Sequence, residues 1–156
     1  EIGSGLVGSE MCIRDRASQI HDADDALFTC GYKVNDLITV IGDVHHIFPK
    51  KYLIKNGLNE KSKYNQIANY TYLDTQVNKA VRDDSPNIYF SKVFEQCETG
   101  IAVYGNITDK VLLHKNLQQN CIPETILQME HTDYEEFLAE RRKLMAKKIK
   151  KYYYSL

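Results

Sequence analysis

None of the four cysteines stands in a C-x-x-C pair, which excludes the paired-cysteine zinc sites built on that spacing. Cys30, Cys97 and Cys121 lie far apart and read as small apolar residues rather than a disulfide framework. That usage points to a reducing, cytoplasmic setting. The longest apolar runs, such as Leu37-Ile38 and Val40-Ile41, fall far short of the ~20 residues that cross a bilayer, so no membrane partner is expected. There is no internal repeat and no low-complexity segment. There is also no excess charge of one sign: 20 Lys and Arg stand against 21 Asp and Glu. A nucleic-acid partner usually shows as a basic excess, so the total gives it no support. What is present is ordinary for a globular chain, with 43% hydrophobic and 26% charged residues, which argues against wholesale disorder. A single domain is expected from 156 residues. At this size roughly 70% of the unfolded surface is buried, enough for a core without disulfides or a structural metal.

The charge is unevenly placed. Residues 1–40 hold three basic and seven acidic side chains, leaving seventeen basic against fourteen acidic in the rest. Within residues 44–82, Lys50, Lys51, Lys55, Lys61, Lys63, Lys79 and Arg82 face two acids, Glu60 and Asp74. A local basic stretch is therefore hidden in a near-neutral total. Such a run is either a solvated face or a binding surface. The first sixteen residues read EIGSGLVGSEMCIRDR. They carry no secretory signal pattern, and residues 7–16 resemble a translated sequencing adapter. On that reading, residues 1–16 are artefact or disordered, the protein proper starts near Ala17, and residues 17–36 are the remnant of an upstream region. The working domain is then 37–156.

Element signals follow in order. Leu37 to Gly42 is a β-prone run, and Val44 to Phe48 continues its extended character until Pro49. Residues 51–56 allow a short helix ended by Gly57. Asn69 to Leu73 alternates aromatic and β-branched residues and predicts a strand. Asp74 or Thr75 caps a helix reaching about Arg82. Ser85-Pro86 opens another to about Phe94. The last third predicts helices after Thr108-Asp109, a short one after Pro123, and a long one of about twenty residues. Thr132 and Glu135 fit a capping box at its start. Its acidic first turns and basic second half suit the helix dipole without invoking a partner.

The sequence Asp43-Val44-His45-His46-Ile47-Phe48-Pro49 concentrates the chemistry. Neighbours on a strand point to opposite faces, so the two imidazoles are set for different jobs. Asn69 follows His46 by 23 residues, and Asn78 follows Asn69 by nine. A strand with two histidines, a loop, a strand opening at an Asn and a helix carrying an Asn resemble the HNH endonucleases, whose core is the ββα-metal fold. Several blocks in order extend the likeness: 43–52 (DVHHIFPKKY), 64–73 (YNQIANYTYL), 85–90 (SPNIYF), 120–124 (NCIPE) and 137–149 (FLAERRKLMAKKI). Together they resemble the C-terminal nuclease region of GmrSD-like restriction proteins, which carry a ParB-like nucleotide-hydrolysing region upstream and act against phage DNA, modified DNA included.

The resemblance implies an α+β fold with a ββα-metal core inside a mainly helical domain, in a prokaryotic cytoplasmic protein. It implies a metal-dependent DNA endonuclease or nickase, with DNA and the upstream nucleotide-hydrolysing domain as partners. His46 is then the general base, since an imidazole titrates near ~6.5 and can take a proton from water at neutral pH. Asn69 holds the inter-strand loop through backbone hydrogen bonds. His45 and Asn78 bind a divalent cation; the family more often has Asp where this chain has His45. Asp43 is a third ligand or orients His45. So small and neutral a donor set suits Mg²⁺, bound partly through water and phosphate; an imidazole ligand also admits Mn²⁺, Ni²⁺ or Zn²⁺. Lys50, Lys51, Lys79 and Arg82 are candidate phosphate contacts. His21, His114 and His131 have no companions at ligand spacing. A rival reading is an HNH-fold module that binds DNA or another partner and has lost catalysis; a third is cleavage of RNA.

Overall fold

The computed structural model describes residues 2–39 and 43–156, with side chains from 12–38 and 44–156. In chain order the elements are α1 (Ile2–His21), α2 (Val34–Thr39), β1 (Asp43–His46), α3 (Lys50–Lys55), α4 (Lys61–Tyr64), β2 (Tyr70–Leu73), α5 (Thr75–Val81), α6 (Pro86–Thr99), α7 (Lys110–Gln119) and α8 (Tyr134–Ser155). The fold is mainly helical, with one small antiparallel sheet of β1 and β2. Register pairs Asp43 with Leu73, Val44 with Tyr72, His45 with Thr71 and His46 with Tyr70. No helix among the described residues is long and apolar enough to cross a membrane.

Local chemistry explains most boundaries. Asp74 caps α5 by accepting from Gln76 N at 2.9 Å, and Asp109 caps α7 by accepting from Leu112 N at 2.9 Å. Pro86 starts α6, where its missing N–H costs nothing. That helix runs five residues past Phe94 to Thr99, because Gln96 buries on its inner face and Gly100, at φ +73°, supplies the left-handed stop. The capping box falls two residues earlier than Thr132–Glu135. Glu130 N donates to Asp133 Oδ2 at 2.9 Å, and the tight turn His131–Asp133 feeds directly into α8.

One region differs from the sequence expectation. Leu37 to Thr39, read as strand, lie in α2, while residues 40–42 lie outside the described residues. A short apolar run without alternation fits either element; here the Asp25–Lys33 bridge and the bond from Val34 N to Asp24 O turn the chain into a helix. Residues 17–36, read as a remnant of an upstream region, run into the core. Ala26, Leu27 and Phe28 are fully buried. Leu27 N donates to Tyr72 O at 3.1 Å, which ties the segment to β2. The Asn116 side chain accepts from Phe28 N and donates to Ala26 O and Thr29 O, while Asn120 donates to Asp25 O. Of the residues set aside as artefact or disordered, 2–16 fall in α1, whose later turns pack on α8 with Ser18 and Gln19 buried.

The core lies between the sheet and α6, α7 and α8. Phe48, just past β1, meets Phe137 at 4.8 Å and Tyr134 at 5.2 Å between ring centroids. Phe28, Tyr89 and Phe90 form a second aromatic group. Each such ring, fully buried, contributes roughly 1.5–3 kcal/mol through apolar burial. Arg141 crosses this core from α8 and donates to Ala68 O, Tyr70 O and Asn120 O, so its charge ties α8 to the backbone leading into β2. That bracing fixes where β2, and so β1, can sit.

Candidate functional site

The alternation of β1 sends His45 inward and Val44 and His46 to the other face of the sheet. His45 is 3% exposed, and its Nδ1 lies 2.7 Å from Asn78 Oδ1 on α5. Two features of the chain create this approach. The turn after β2 is short, so Asp74 starts α5 immediately beside the sheet, and Asn78 sits one turn in, on the face toward β1. The neighbouring aromatic is Tyr89 of α6, whose ring stands edge-on to His45 at 6.1 Å. Tyr89 OH donates to Ile47 O, so α6 also fixes the end of β1.

Burial lowers the His45 pKa from its usual value to about 4; the bond to Asn78 opposes this and the neighbouring His46 adds to it. In the neutral ring Nδ1–H donates to Asn78 Oδ1. Nε2 is buried and has no hydrogen-bond partner among the described residues. Burial withholds from a charged ring the solvation it has in water, which is why the neutral form wins.

His46 lies half-buried on the opposite face. Its Nε2 is 3.0 Å from Asn65 Oδ1. Its ring meets Tyr70, its cross-strand partner, edge-on at 4.9 Å, and Tyr64 at 6.3 Å. Asn69 is fully buried. Its side chain accepts from Phe48 N at 2.8 Å and donates to Phe48 O at 3.1 Å and Tyr64 O at 3.2 Å. One amide thus clasps the chain leaving β1 to the end of α4, closing the long inter-strand loop.

A cleft of about 430 Å³ is lined by His45, His46 and Asn78, with Lys50, Lys51, Arg82 and Asp83 at its rim. Lys79 is exposed on α5 and does not line it. Lys50 Nζ stands 5.2 Å over the Tyr64 ring. Asp83 pairs with Lys55, and this hydrogen bond holds its carboxyl below the usual range. Arg82 closes α5 at φ +55°, a left-handed conformation uncommon outside glycine. The rim therefore presents three cations not paired with that carboxylate. A second cavity, about 340 Å³, lies between the sheet and α1 and shares Val44 and His46 with the first. His46 stands on the ridge between them.

Among the described residues no three His, Cys, Asp or Glu side chains converge as a metal-binding group. The candidate pair is one imidazole and one amide. The side chain of Asp43, the third candidate ligand, lies outside the described residues. The pair still fits a hard cation in two respects. His45 is held neutral, the state a metal requires of imidazole. Adjacent ligands on an octahedral ion, each at about 2.1 Å, sit about 3.0 Å apart; the observed 2.7 Å needs a few tenths of an ångström of opening. One feature weakens the fit. A cation at Nδ1 would put the ring proton on Nε2, which has no acceptor among the described residues, at a cost of about 1–3 kcal/mol. Such a site holds a cation weakly unless phosphate oxygens and water complete the shell.

Two features of the candidate site were missed by sequence reasoning: the Asn65 contact with His46, and Asp83 at the rim. Asn65 carries no motif signal beyond its place four residues before Asn69. Comparison with family models, with curated proteins and with solved structures finds no match.

Proposed function

We propose that the chain is an HNH-type, metal-dependent DNA endonuclease or nickase domain, with β1, β2 and α5 as its ββα core. The observation that carries this reading is the joint placement of four residues. His45 and Asn78 meet between sheet and helix, His46 follows on the other face, and Asn69 clasps the loop between the strands. Spacing alone left each of these residues a bland alternative; the convergence of His45, His46 and Asn78 on one cleft, with Asn69 bracing the loop behind it, supports a common task. The resemblance to restriction nucleases extends the proposal to phage DNA as substrate and to an upstream nucleotide-hydrolysing domain as partner.

Hydrolysis of a phosphodiester needs a deprotonated water in line with the leaving oxygen and charge compensation on the phosphate. His46 takes the water proton through its free ring nitrogen, a contribution of about 10²–10⁴-fold. His45 and Asn78 would hold the divalent cation, Mg²⁺ in the first instance. When bound, it stabilises charge on the phosphate and on the leaving oxygen. Lys50, Lys51 and Arg82 draw the backbone into the cleft as phosphate contacts. Lys79 extends the same basic face outside it. Asn69 keeps the base in register with the cleft by fixing Phe48, two residues on.

The test is conversion of supercoiled plasmid to open circle by the purified chain with Mg²⁺ or Mn²⁺. No conversion in either metal, or conversion undiminished by His46→Ala, overturns the proposal. The rival reading, a catalytically inactive DNA-binding or interaction module, is favoured by the weak donor set. It predicts DNA binding together with calorimetry that shows no divalent-ion uptake dependent on His45 and Asn78.

A further inference from the structure

We propose that Asn65 is the positioning residue for His46: its side-chain oxygen holds the Nε2–H and leaves Nδ1 as the ring's basic nitrogen. The inference rests on the reading of His46 as general base and names what makes it one. Nε2 and Asn65 Oδ1 are 3.0 Å apart, within the range of an N–H···O bond. An amide oxygen only accepts, so Nε2 carries the proton; in a neutral imidazole the lone pair is then on Nδ1.

The contact is built rather than incidental. Asn65 closes α4, its own N–H donating to Lys61 O at 2.9 Å. The carbonyl just before it, Tyr64 O, accepts from Asn69 Nδ2. The same Asn69 side chain grips both backbone groups of Phe48, two residues beyond His46. One buried amide therefore fixes the chain on both sides of the His46–Asn65 bond. The Tyr70 and Tyr64 rings bracket the imidazole edge-on and limit its swing. Within that slot two choices remain to the ring: a half-turn about its Cβ–Cγ axis, and which nitrogen holds the proton. No other hydrogen bond to the His46 ring is found among the described residues, so Asn65 decides both. The requirement for a fixed tautomer is general to imidazole bases, because the wrong nitrogen cannot accept.

The experiment uses the full chain with ¹⁵N-labelled histidine, free of divalent metal, at about pH 8.5, where an ordinary imidazole is neutral. Long-range proton–nitrogen correlation spectra report which ring nitrogen is protonated. Wild type is expected to show a pyrrole-like Nε2 and a pyridine-like Nδ1 for His46. Asn65→Leu, at an exposed position, is expected to shift His46 toward a tautomer mixture and to lower the nicking kcat about tenfold, the worth of one hydrogen bond, with KM unchanged. Asn65→Asp, which keeps an acceptor, is expected to keep the wild-type tautomer and to recover most of the rate. A wild-type His46 protonated at Nδ1, or a spectrum unchanged in Asn65→Leu, overturns the role of Asn65. Nicking that survives His46→Ala overturns the base itself, a separate result read in a separate assay.

Discussion

The buried, neutral His45 ties folding stability to pH in a way that can be isolated. Folded, its pKa is about 4; unfolded, it returns to ~6.5. Between these values the unfolded chain binds a proton that the folded chain refuses. Stability from this residue is therefore complete above about pH 6.5 and is lost as pH falls toward 4. The loss is about 1 kcal/mol by pH 5.5 and about 3 kcal/mol by pH 4, from ~1.4 kcal/mol per unit of difference. Asp15 and Asp24 are raised by burial and act with the opposite sign, favouring the folded chain as pH falls. The perturbation is thus read as a difference. His45→Leu removes the linkage, keeps the apolar volume and leaves both carboxylates in place. Urea unfolding of the two proteins in EDTA at pH 7, 5.5 and 4 gives the comparison. The variant is expected to gain about 3 kcal/mol on wild type between the extremes. A difference that stays flat with pH refutes a neutral buried His45, and with it the ground for treating that ring as ready to hold a metal.

Asn69→Ala leaves Phe48 N–H buried without an acceptor and frees two carbonyls; a loss of about 3 kcal/mol is expected in urea unfolding, and a loss under about 1 kcal/mol contradicts the clasp. Gly105→Ala places a Cβ 1.9 Å from Phe28 O at φ +69°, so thermal unfolding is expected to show a loss of at least about 2 kcal/mol. Arg82→Ala is expected to weaken DNA binding across sequences and to reduce the salt-dependence slope by about one, read by fluorescence anisotropy against salt concentration. An unchanged slope removes Arg82 from the phosphate contacts.

Legibility in the sequence followed how local each signal was. Caps and stops were plain: Asp74, Gly57 and Pro86 act through backbone groups within a few residues, and they bound elements where expected. The two strands around the loop were legible through the His-His pair and the alternation of residues 70–73. Features set by distant partners were not. Asn116 and Asn120 carry residues 25–29 into the core across some ninety positions, and nothing in the short run Ala26-Leu27-Phe28 announces those partners. Leu37-Ile38 failed because a short apolar run has no period to read. Asn65 failed because its meaning lies wholly in what Asn69 holds next to it. For the candidate site, the sequence named His45, His46, Asn69 and Asn78. The depression of the His45 pKa arises from burial against α5 and α6 and appears only in three dimensions.

The most direct test of the central claim is the single-turnover nicking rate of supercoiled plasmid in Mg²⁺, wild type beside His46→Ala. The account predicts metal-dependent nicking abolished by EDTA and slowed about 10²–10⁴-fold by the substitution. Nicking at equal rates by both proteins, or none by the wild type in Mg²⁺ or Mn²⁺, contradicts it.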